Sequence, residues 1–436
     1  MRTNEFGIIF IGVKGIIRQE LKMQKGATGI IIAVILLILI AGGYFYFFTP
    51  LYDEITNNIK EIPVMSEPID NQAIQPIIKD ESLAPEEINS IIANAVEWFK
   101  NSQEPSGHFN YEYSLVNDEY SNDGNMVRQM GALYELGEIL VRDTKNVFNL
   151  KNSVKNSIQY ARNNSVKRNL NSQQFLCVKK DKSRCSLGAV SLALIGVLDY
   201  VSVYPEEQAK YQDLINGYID FILAMKKPDK GFRANYYLTT NQTNTESSFA
   251  NGEAFFALVR YYKHNPTNEV KKVIDESFEY FDVIYRNEWD NNFYLWGMAA
   301  IKDLYASEPL LEYFEFVRDY TNWRIEGYKG LRKTKHNKCA YIEGVISAYS
   351  VIKTHEEEIN FWLKKSQELQ IMDNKITTSI IEDIEFPLYL KNPDIAKGGF
   401  LTGLEYDELL QRIDFTQHCL SAYLQKHVDI NSAELR

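Results

Sequence analysis

The chain has 436 residues, of which 45% are hydrophobic and 24% charged, a composition that suits a folded globular protein with a large core. Its formal net charge of −11 argues against nucleic acid as a partner. It has no Gly-rich loop ending in Gly-Lys-Ser/Thr, no His-Glu-x-x-His and no Gly-x-Ser-x-Gly. This removes the usual signatures of phosphate cradling, zinc proteolysis and serine hydrolysis.

In chain order, residues 1–26 read as a cytoplasmic N-terminus and 27–48 (ATGIIIAVILLILIAGGYFYFF) as a transmembrane helix. The segment is uncharged and long enough to cross a bilayer. Arg18, Lys22 and Lys25 precede it, and Asp53 and Glu54 follow, so the positive-inside rule puts the rest of the chain outside. A cleaved signal peptide is the alternative; the bulky aromatic exit at Tyr44–Phe48 offers no small-x-small cleavage site. Met23 is an alternative start. Residues 49–83, with Pro63, Pro68 and Pro76, read as an extracytoplasmic linker. Residues 84–436 then form one domain.

That domain opens with a helix start at Ala84-Pro85-Glu86-Glu87, with a proline and acids in the first turn. Ile88, Ile91, Ile92, Val96 and Phe99 continue it at helical spacing. A small residue then recurs at the head of apolar helical stretches: Gly131, Gly188, Gly252, Gly297, Gly344 and, in a sixth copy, Cys419. The spacing, about 45–75 residues, accommodates one helical hairpin per copy. Six inner helices whose backbones approach closely around a common centre are expected. Glycine–aromatic or glycine–leucine turns mark the ends of outer helices: Gly107-His108-Phe109, Gly231-Phe232, Gly330-Leu331 and Gly399-Phe400. Loops before the inner helices are rich in Tyr, Asn, Asp and Glu, whereas those after them are short. The functional face is therefore expected at the N-terminal ends of the inner helices, where free N–H groups and a partial positive charge also lie.

Aligning the copies on their small residues exposes a polar stripe. Asn251, Trp296, Glu343 and His418 stand one residue before, and Ser247, Asn292, Cys339 and Asp414 four residues earlier still. Each pair is i, i+4 and shares a helix face. A cavity lining and a set of first-turn caps both fit this pattern. Asp414 one turn before His418 is the sharpest pair: a carboxylate there would orient the imidazole and raise its pKa, making an acid/base group. Glu343 and Glu253 fall on inner helices, where a charged group needs a partner or a watery cavity. The catalytic candidates are thus Asp414, His418, Glu343 and Glu253, within a wider carboxylate set that adds Asp123, Glu246 and Asp290. Arg128, Arg233 and Arg412 either meet an acidic ligand or balance these acids. Tyr111, Tyr113 and Tyr236 suit stacking on sugar rings, and Asn251 and Trp296 complete the substrate-binding candidates.

Cys177 and Cys185 flank the basic segment VKKDKSR; a bridge between them and two free thiols are both open. Cys339, His418 and Cys419 are zinc-type ligands if their helices adjoin, but no metal or cofactor is expected.

The repeat layout and glycine–aromatic turns over about residues 85–430 resemble the (α/α)6 toroids, which include six-hairpin glycosidases, polysaccharide lyases and the terpenoid-cyclase-like group. A fainter likeness, to the C-terminal domain of uronyl C5-epimerases, lies in SSFANGEAFFALVRYY and RIDFTQHCLSAYL. The resemblance implies an all-α fold, an (α/α)6 toroid, and an enzyme acting on a polysaccharide or glycan by hydrolysis, elimination or uronate epimerisation; with the transmembrane helix read above preceding it, the enzyme is expected to be membrane-anchored. A non-catalytic glycan- or protein-binding module is the alternative. A prenyl-transfer or cyclase role is disfavoured by the polar stripe and by the absence of Asp-rich diphosphate ligands.

Overall fold

The structure, a computed structural model, describes residues 82–426 except 122–123, 171, 230, 244, 328–336 and 374–389. The expected span at 27–48, the linker up to residue 81, Asp123 and the Gly330-Leu331 turn lie outside the described residues.

Among the described residues, twelve long helices alternate between an outer and an inner layer. The outer ones are α1 (Pro85–Ser102), α3 (Lys151–Asn163), α5 (Gln208–Ala224), α7 (Asn268–Asn287), α9 (Leu311–Glu326) and α11 (Glu356–Gln367). The inner ones are α2 (Met126–Arg142), α4 (Leu187–Val203), α6 (Ser248–His264), α8 (Asn291–Ser307), α10 (Lys338–Ile352) and α12 (Ile413–Lys426). Helix α1 begins at the proline marked by sequence, and the Glu87 carboxylate accepts the Ala84 N–H at 2.9 Å. Each inner helix packs on the next, and α12 returns to α2, so the ring closes. Outer helices lie against the inner ring, with α3, α5, α9 and α11 each touching two inner helices.

The two layers differ in sequence for a physical reason. Helix α4 is buried continuously from Leu187 to Val201, as a helix surrounded by neighbours must be. Helix α7 buries only one stripe, Val270, Ile274, Ser277, Phe278, Phe281 and Tyr285, and is capped by Thr267. The recurring small residues sit where inner helices touch. A Cβ on Gly252 would lie 2.9 Å from the Trp296 Cβ and 3.2 Å from the Phe293 carbonyl oxygen of α8, closer than side-chain carbons pack. In the sixth copy Cys419 forms a disulfide with Cys339, fastening α12 to α10. A second disulfide joins Cys177 to Cys185. No cysteine is free, which settles the question left open at 177 and 185 and adds a bridge that sequence did not suggest.

The all-α expectation needs one amendment. Three small antiparallel sheets occupy loops before inner helices: β1 (Glu112–Ser114) between β2 (Glu119–Ser121) and β8 (Leu410–Arg412), the hairpin β3 (Ser165–Leu170) with β4 (Gln173–Val178), and β6 (Asn235–Tyr237) between β5 (Arg184–Ser186) and β7 (Gln242–Thr243). Strands of two to six residues leave too short an alternation to register in sequence.

The glycine–aromatic turns share one construction. Gly107 adopts a positive φ of 85°, and the aromatic residue after each glycine bridges back to the outer-helix exit: Phe109 to Gln103, Phe232 to Lys226, Phe400 to Gln370. The next inner helix then accepts the aromatic residue's N–H with a polar side chain. Gln129 Oε1 takes Phe109 N–H at 2.8 Å, Asn251 Oδ1 takes Phe232 N–H at 2.9 Å, and Thr416 Oγ1 takes Phe400 N–H at 3.2 Å.

Candidate active site

Because the six inner helices run the same way round the ring, their first turns converge on one cleft of about 690 Å³. Every inner helix contributes: Arg128 and Gly131 from α2, Gly188 and Leu192 from α4, Ala250 and Glu253 from α6, Asn292 and Trp296 from α8, Ala340 and Tyr341 from α10, and Asp414 and His418 from α12. Five members of the polar stripe (Ser247, Asn292, Trp296, Asp414 and His418) therefore line a cavity at the end where the loop asymmetry placed it.

The deepest polar feature is a dyad across α10 and α12. His418 Nδ1 lies 2.7 Å from Glu343 Oε2, and Ser421 donates to Glu343 Oε1, also at 2.7 Å. Glu343 is 1% exposed. A buried carboxylate with both oxygens engaged acts as an orienting acceptor: it selects the tautomer with the proton on Nδ1 and leaves Nε2 able to accept a proton. Trp296 stands beside the imidazole at 5.9 Å between ring centroids, and itself packs on Phe256 and Tyr134.

Asp414 does not do what its spacing from His418 suggested. Its carboxylate is taken by two guanidiniums. Arg412 reaches Oδ1 from Nε at 3.0 Å and Oδ2 from Nη2 at 2.5 Å, and Arg128 Nε reaches Oδ2 at 3.0 Å. The other end of Arg128 donates to the Tyr111 hydroxyl at 2.5 Å. Burial, assisted by Asp414, pushes the Tyr111 phenol up to about 12, so it stays protonated. The orienting role passes from Asp414 to Glu343, and Arg128 and Arg412 balance this acid.

Glu253 is the outlier of the cleft. Among the described residues it has no hydrogen-bond or ion-pair partner, and the tight approach of α4 presses Gly188 against its carboxyl: a Cβ there would lie 2.0 Å from Oε2. Burial pushes its pKa up to about 8, with the charge of Lys180 pulling the other way. At neutral pH it is a protonated carboxylic acid facing the cleft, which is the state a general acid requires.

Four remaining candidates sit elsewhere. Tyr113 is buried in a side cluster with Leu115 and Ile371, and its hydroxyl donates to Asp118 at 2.5 Å. Tyr236 is fully buried and donates to Asn241. Arg233 spends a guanidinium nitrogen on the Lys226 carbonyl at 2.8 Å. Asn251 is the clip on Phe232 described above, and also donates to Glu246 at 2.6 Å. All four are spent on loop anchoring because the loops need their polar groups satisfied. Glu246 is likewise held by Lys227 and Tyr280, and Asp290 caps α8. With Cys339 and Cys419 bonded to each other, the zinc-type set has no thiolate to offer. Lys180 and Gln417, which line the cleft, were not anticipated. Lys180 belongs to the basic segment VKKDKSR between the two cysteines, to which no role in the site was assigned.

No family model matches the chain, and no curated protein matches its sequence. Solved structures do match in shape. A sugar epimerase from a ruminal bacterium superposes with a TM-score of 0.52 at 11% identity, over 78% of this chain and 98% of that one. A family 76 glycoside hydrolase from a bovine Bacteroides thetaiotaomicron strain gives 0.53 at 9% identity, over 77% and 76%. An inactive variant of an α-1,6-mannanase of Salegentibacter sp., in complex with α-1,6-mannotriose, gives 0.52 at 10% identity, over 78% and 99%. The chain thus has the (α/α)6 toroid fold of the six-hairpin glycosidases. Identities this low establish the fold and nothing finer.

Proposed function

We propose that the protein is a carbohydrate-active enzyme, anchored in the membrane by residues 27–48 with the toroid outside, that acts on a polysaccharide or glycan by proton transfer between His418 and Glu253. The observation that carries this reading is the Glu343–His418 dyad at 2.7 Å beside a cleft lined by the buried carboxyl of Glu253, which burial pushes up to about 8. His418 Nε2 abstracts a proton and Glu253 supplies one; Glu343 stabilises the imidazolium that forms. The glycoside hydrolases and sugar epimerases of the same fold support a sugar substrate. Two disulfides and no free cysteine support an oxidising compartment, hence the external placement.

Within that class, elimination or epimerisation suits the site better than hydrolysis. An inverting or retaining hydrolase needs an ionised carboxylate free to activate water or attack the sugar. Asp414 is bound by two arginines, Glu343 by His418 and Ser421, Glu246 by Lys227, and Glu253 is protonated. The mannanase variant of this fold, inactive, has two consecutive aspartates replaced, and no two aspartates are consecutive anywhere in this chain.

Incubation with neutral and acidic polysaccharides in D2O, followed by mass spectrometry, separates the outcomes. Unsaturated ends identify a lyase, deuterium uptake without cleavage an epimerase, and shortened saturated chains a hydrolase. Replacing His418 by Ala is expected to reduce the rate by about 10²–10⁴-fold, the usual contribution of a general base. Undiminished turnover in both His418→Ala and Glu343→Gln would remove the dyad from the mechanism. Binding without turnover by the unsubstituted protein would leave a glycan-binding module instead.

A further inference from the structure

The segment between the first pair of cysteines is built to present one side chain. Cys177 and Cys185 close an eight-residue separation at the end of β4 and the start of β5. Inside it, the Lys180 N–H donates to the Arg184 carbonyl at 2.8 Å, and Lys179 bridges to Cys185. Asp181 caps the turn, accepting from the Ser183 N–H at 2.8 Å, the Ser183 hydroxyl at 2.6 Å and the Arg184 guanidinium at 2.7 Å. The outer edge is tied down as well, since Leu238 N–H donates to the Ser183 carbonyl at 2.8 Å. Asp181 is therefore consumed by its own turn and is not available to neutralise Lys180.

Lys180 lines the cleft at the wall formed by Ser186, Gly188 and Glu253. Among the described residues that line this cleft, it is the one cation whose charged group has neither a hydrogen bond nor an ion pair: Arg128 is bound to Asp414. The anions of the cleft are likewise committed, Asp414 to Arg128 and Arg412, Glu246 to Lys227. In a chain of net charge −11, Lys180 thus brings to the cleft a positive charge that no side chain binds by a hydrogen bond or ion pair among the described residues, fixed on a cross-linked loop. Holding a loop rigid with a disulfide lowers the ordering cost of binding, which makes the placement useful to a ligand rather than to the fold.

We propose that Lys180 is the anion-binding residue of this cleft, and that the glycan it takes carries a carboxylate or a sulfate on the sugar beside Glu253. This rests on the glycan reading above and specifies the substrate class. An ammonium in that position discriminates against neutral sugars because a neutral ligand would desolvate it without repaying it with a counter-charge.

The test measures binding of the full-length protein at low salt to three oligosaccharide sets: oligogalacturonides (carboxylate), carrageenan oligosaccharides (sulfate without carboxylate) and neutral mannan oligosaccharides. One charged set is expected to bind at least about tenfold tighter than the neutral set, the scale of a hydrogen bond to a charged group, and which set it is identifies the anion. Lys180→Met is expected to lower that preference by about tenfold or more. Lys180→Glu should invert it, Lys180→Arg should restore most of it, and Lys182→Met on the exposed tip of the same loop should leave it unchanged. Thermal unfolding of each variant separates a folding defect from a lost contact. A preference for neutral glycans, or one that Lys180→Met does not move, overturns the inference while leaving a glycan enzyme in place. Failure to bind any set overturns both readings.

Discussion

At the C-terminal end of the inner ring Arg260 of α6 is met by Glu138 of α2, by Asp303 of α8 at 2.6 Å and by Asp199 of α4 at 3.4 Å. Lys302 and Ser347 both donate to Gln425 of α12, at 3.2 and 2.8 Å. One polar network therefore reaches all six inner helices. At the N-terminal end of the same helices, the Glu253 and Lys180 side chains have no hydrogen-bonding partner among the described residues, and His418 keeps one ring nitrogen for the cleft. Between the two ends lies an aromatic layer of Tyr134, Phe256 and Trp296. Both ends bring charge into the ring; at the C-terminal end the charges meet one another, with Asp199 Oδ2 left without a hydrogen bond among the described residues, whereas Glu253 and Lys180 face the cleft. Unsatisfied groups have a cost that folding does not recover; those at the N-terminal end, unlike the Glu135 carboxyl and Asp199 Oδ2, line an open cleft where a ligand can reach them.

The largest effect expected from this contrast is at the floor. Arg260→Met removes the cation shared by three carboxylates and should destabilise the protein by about 3–5 kcal/mol, as loss of one partner of a buried ion pair does. Urea unfolding measures it. A loss below about 1 kcal/mol, the scale of an exposed pair, would mean that the network is not the clasp of the ring and the contrast fails at that end.

The cleft should respond in the opposite sense. Glu253→Gln keeps the shape of the side chain and removes the titrating proton, so activity should fall by about 10²-fold or more while stability is held or improved. The pH dependence sharpens this. Burial raises the Glu253 pKa to about 8, so activity that needs its proton is present below that value and declines as pH rises through it. The stability sign follows from the same shift. The folded state holds the proton between about 4.5 and about 8 while the unfolded state does not. Stability from this group is therefore fully present below the unfolded value and is lost as pH rises to about 8. The stability advantage of Glu253→Gln over the parent should grow across that window. An advantage independent of pH would show that Glu253 does not titrate there, and it would lose its role as the acid.

Much of the frame was legible because its causes are local. A helix that touches two neighbours at its first turns needs a small residue there, so Gly131, Gly188, Gly252, Gly297 and Gly344 announced the inner ring. The i, i+4 stripe announced the cleft, since a repeated polar face on apolar helices has to meet water or a ligand. The pairing within the site was not legible. His418 and Glu343 are 75 residues apart, on different helices, and Cys339 and Cys419 are separated by 80. Such partners are fixed by ring closure, which leaves no trace in spacing. Asp414 and His418 looked like a pair because they are one turn apart, yet Arg128, from the far side of the closure, takes the carboxylate. Tyr113 and Tyr236 show the complementary error: aromatic residues in loops before inner helices served the small sheets and side cores rather than the cleft.

Asn251 provides the finest test, because it lies on the boundary between the two kinds of group. It sits one residue before Gly252 on the stripe, as His418 sits one before Cys419, so position alone would make it part of the site. Its contacts say otherwise. Oδ1 accepts the Phe232 N–H at 2.9 Å, and Nδ2 donates to Glu246 at 2.6 Å and to the Tyr285 hydroxyl at 3.1 Å. Gln129 and Thr416 perform the same service for Phe109 and Phe400, which makes the clip a property of the repeat rather than of a substrate. Asn251→Ala orphans the buried Phe232 N–H and should reduce stability by about 1–3 kcal/mol, while kcat, measured well below the unfolding temperature, changes little. The reverse result, normal stability with a depressed kcat, would move Asn251 into the cleft's working set. Burial and satisfied hydrogen bonding would then no longer separate scaffold from site along this stripe.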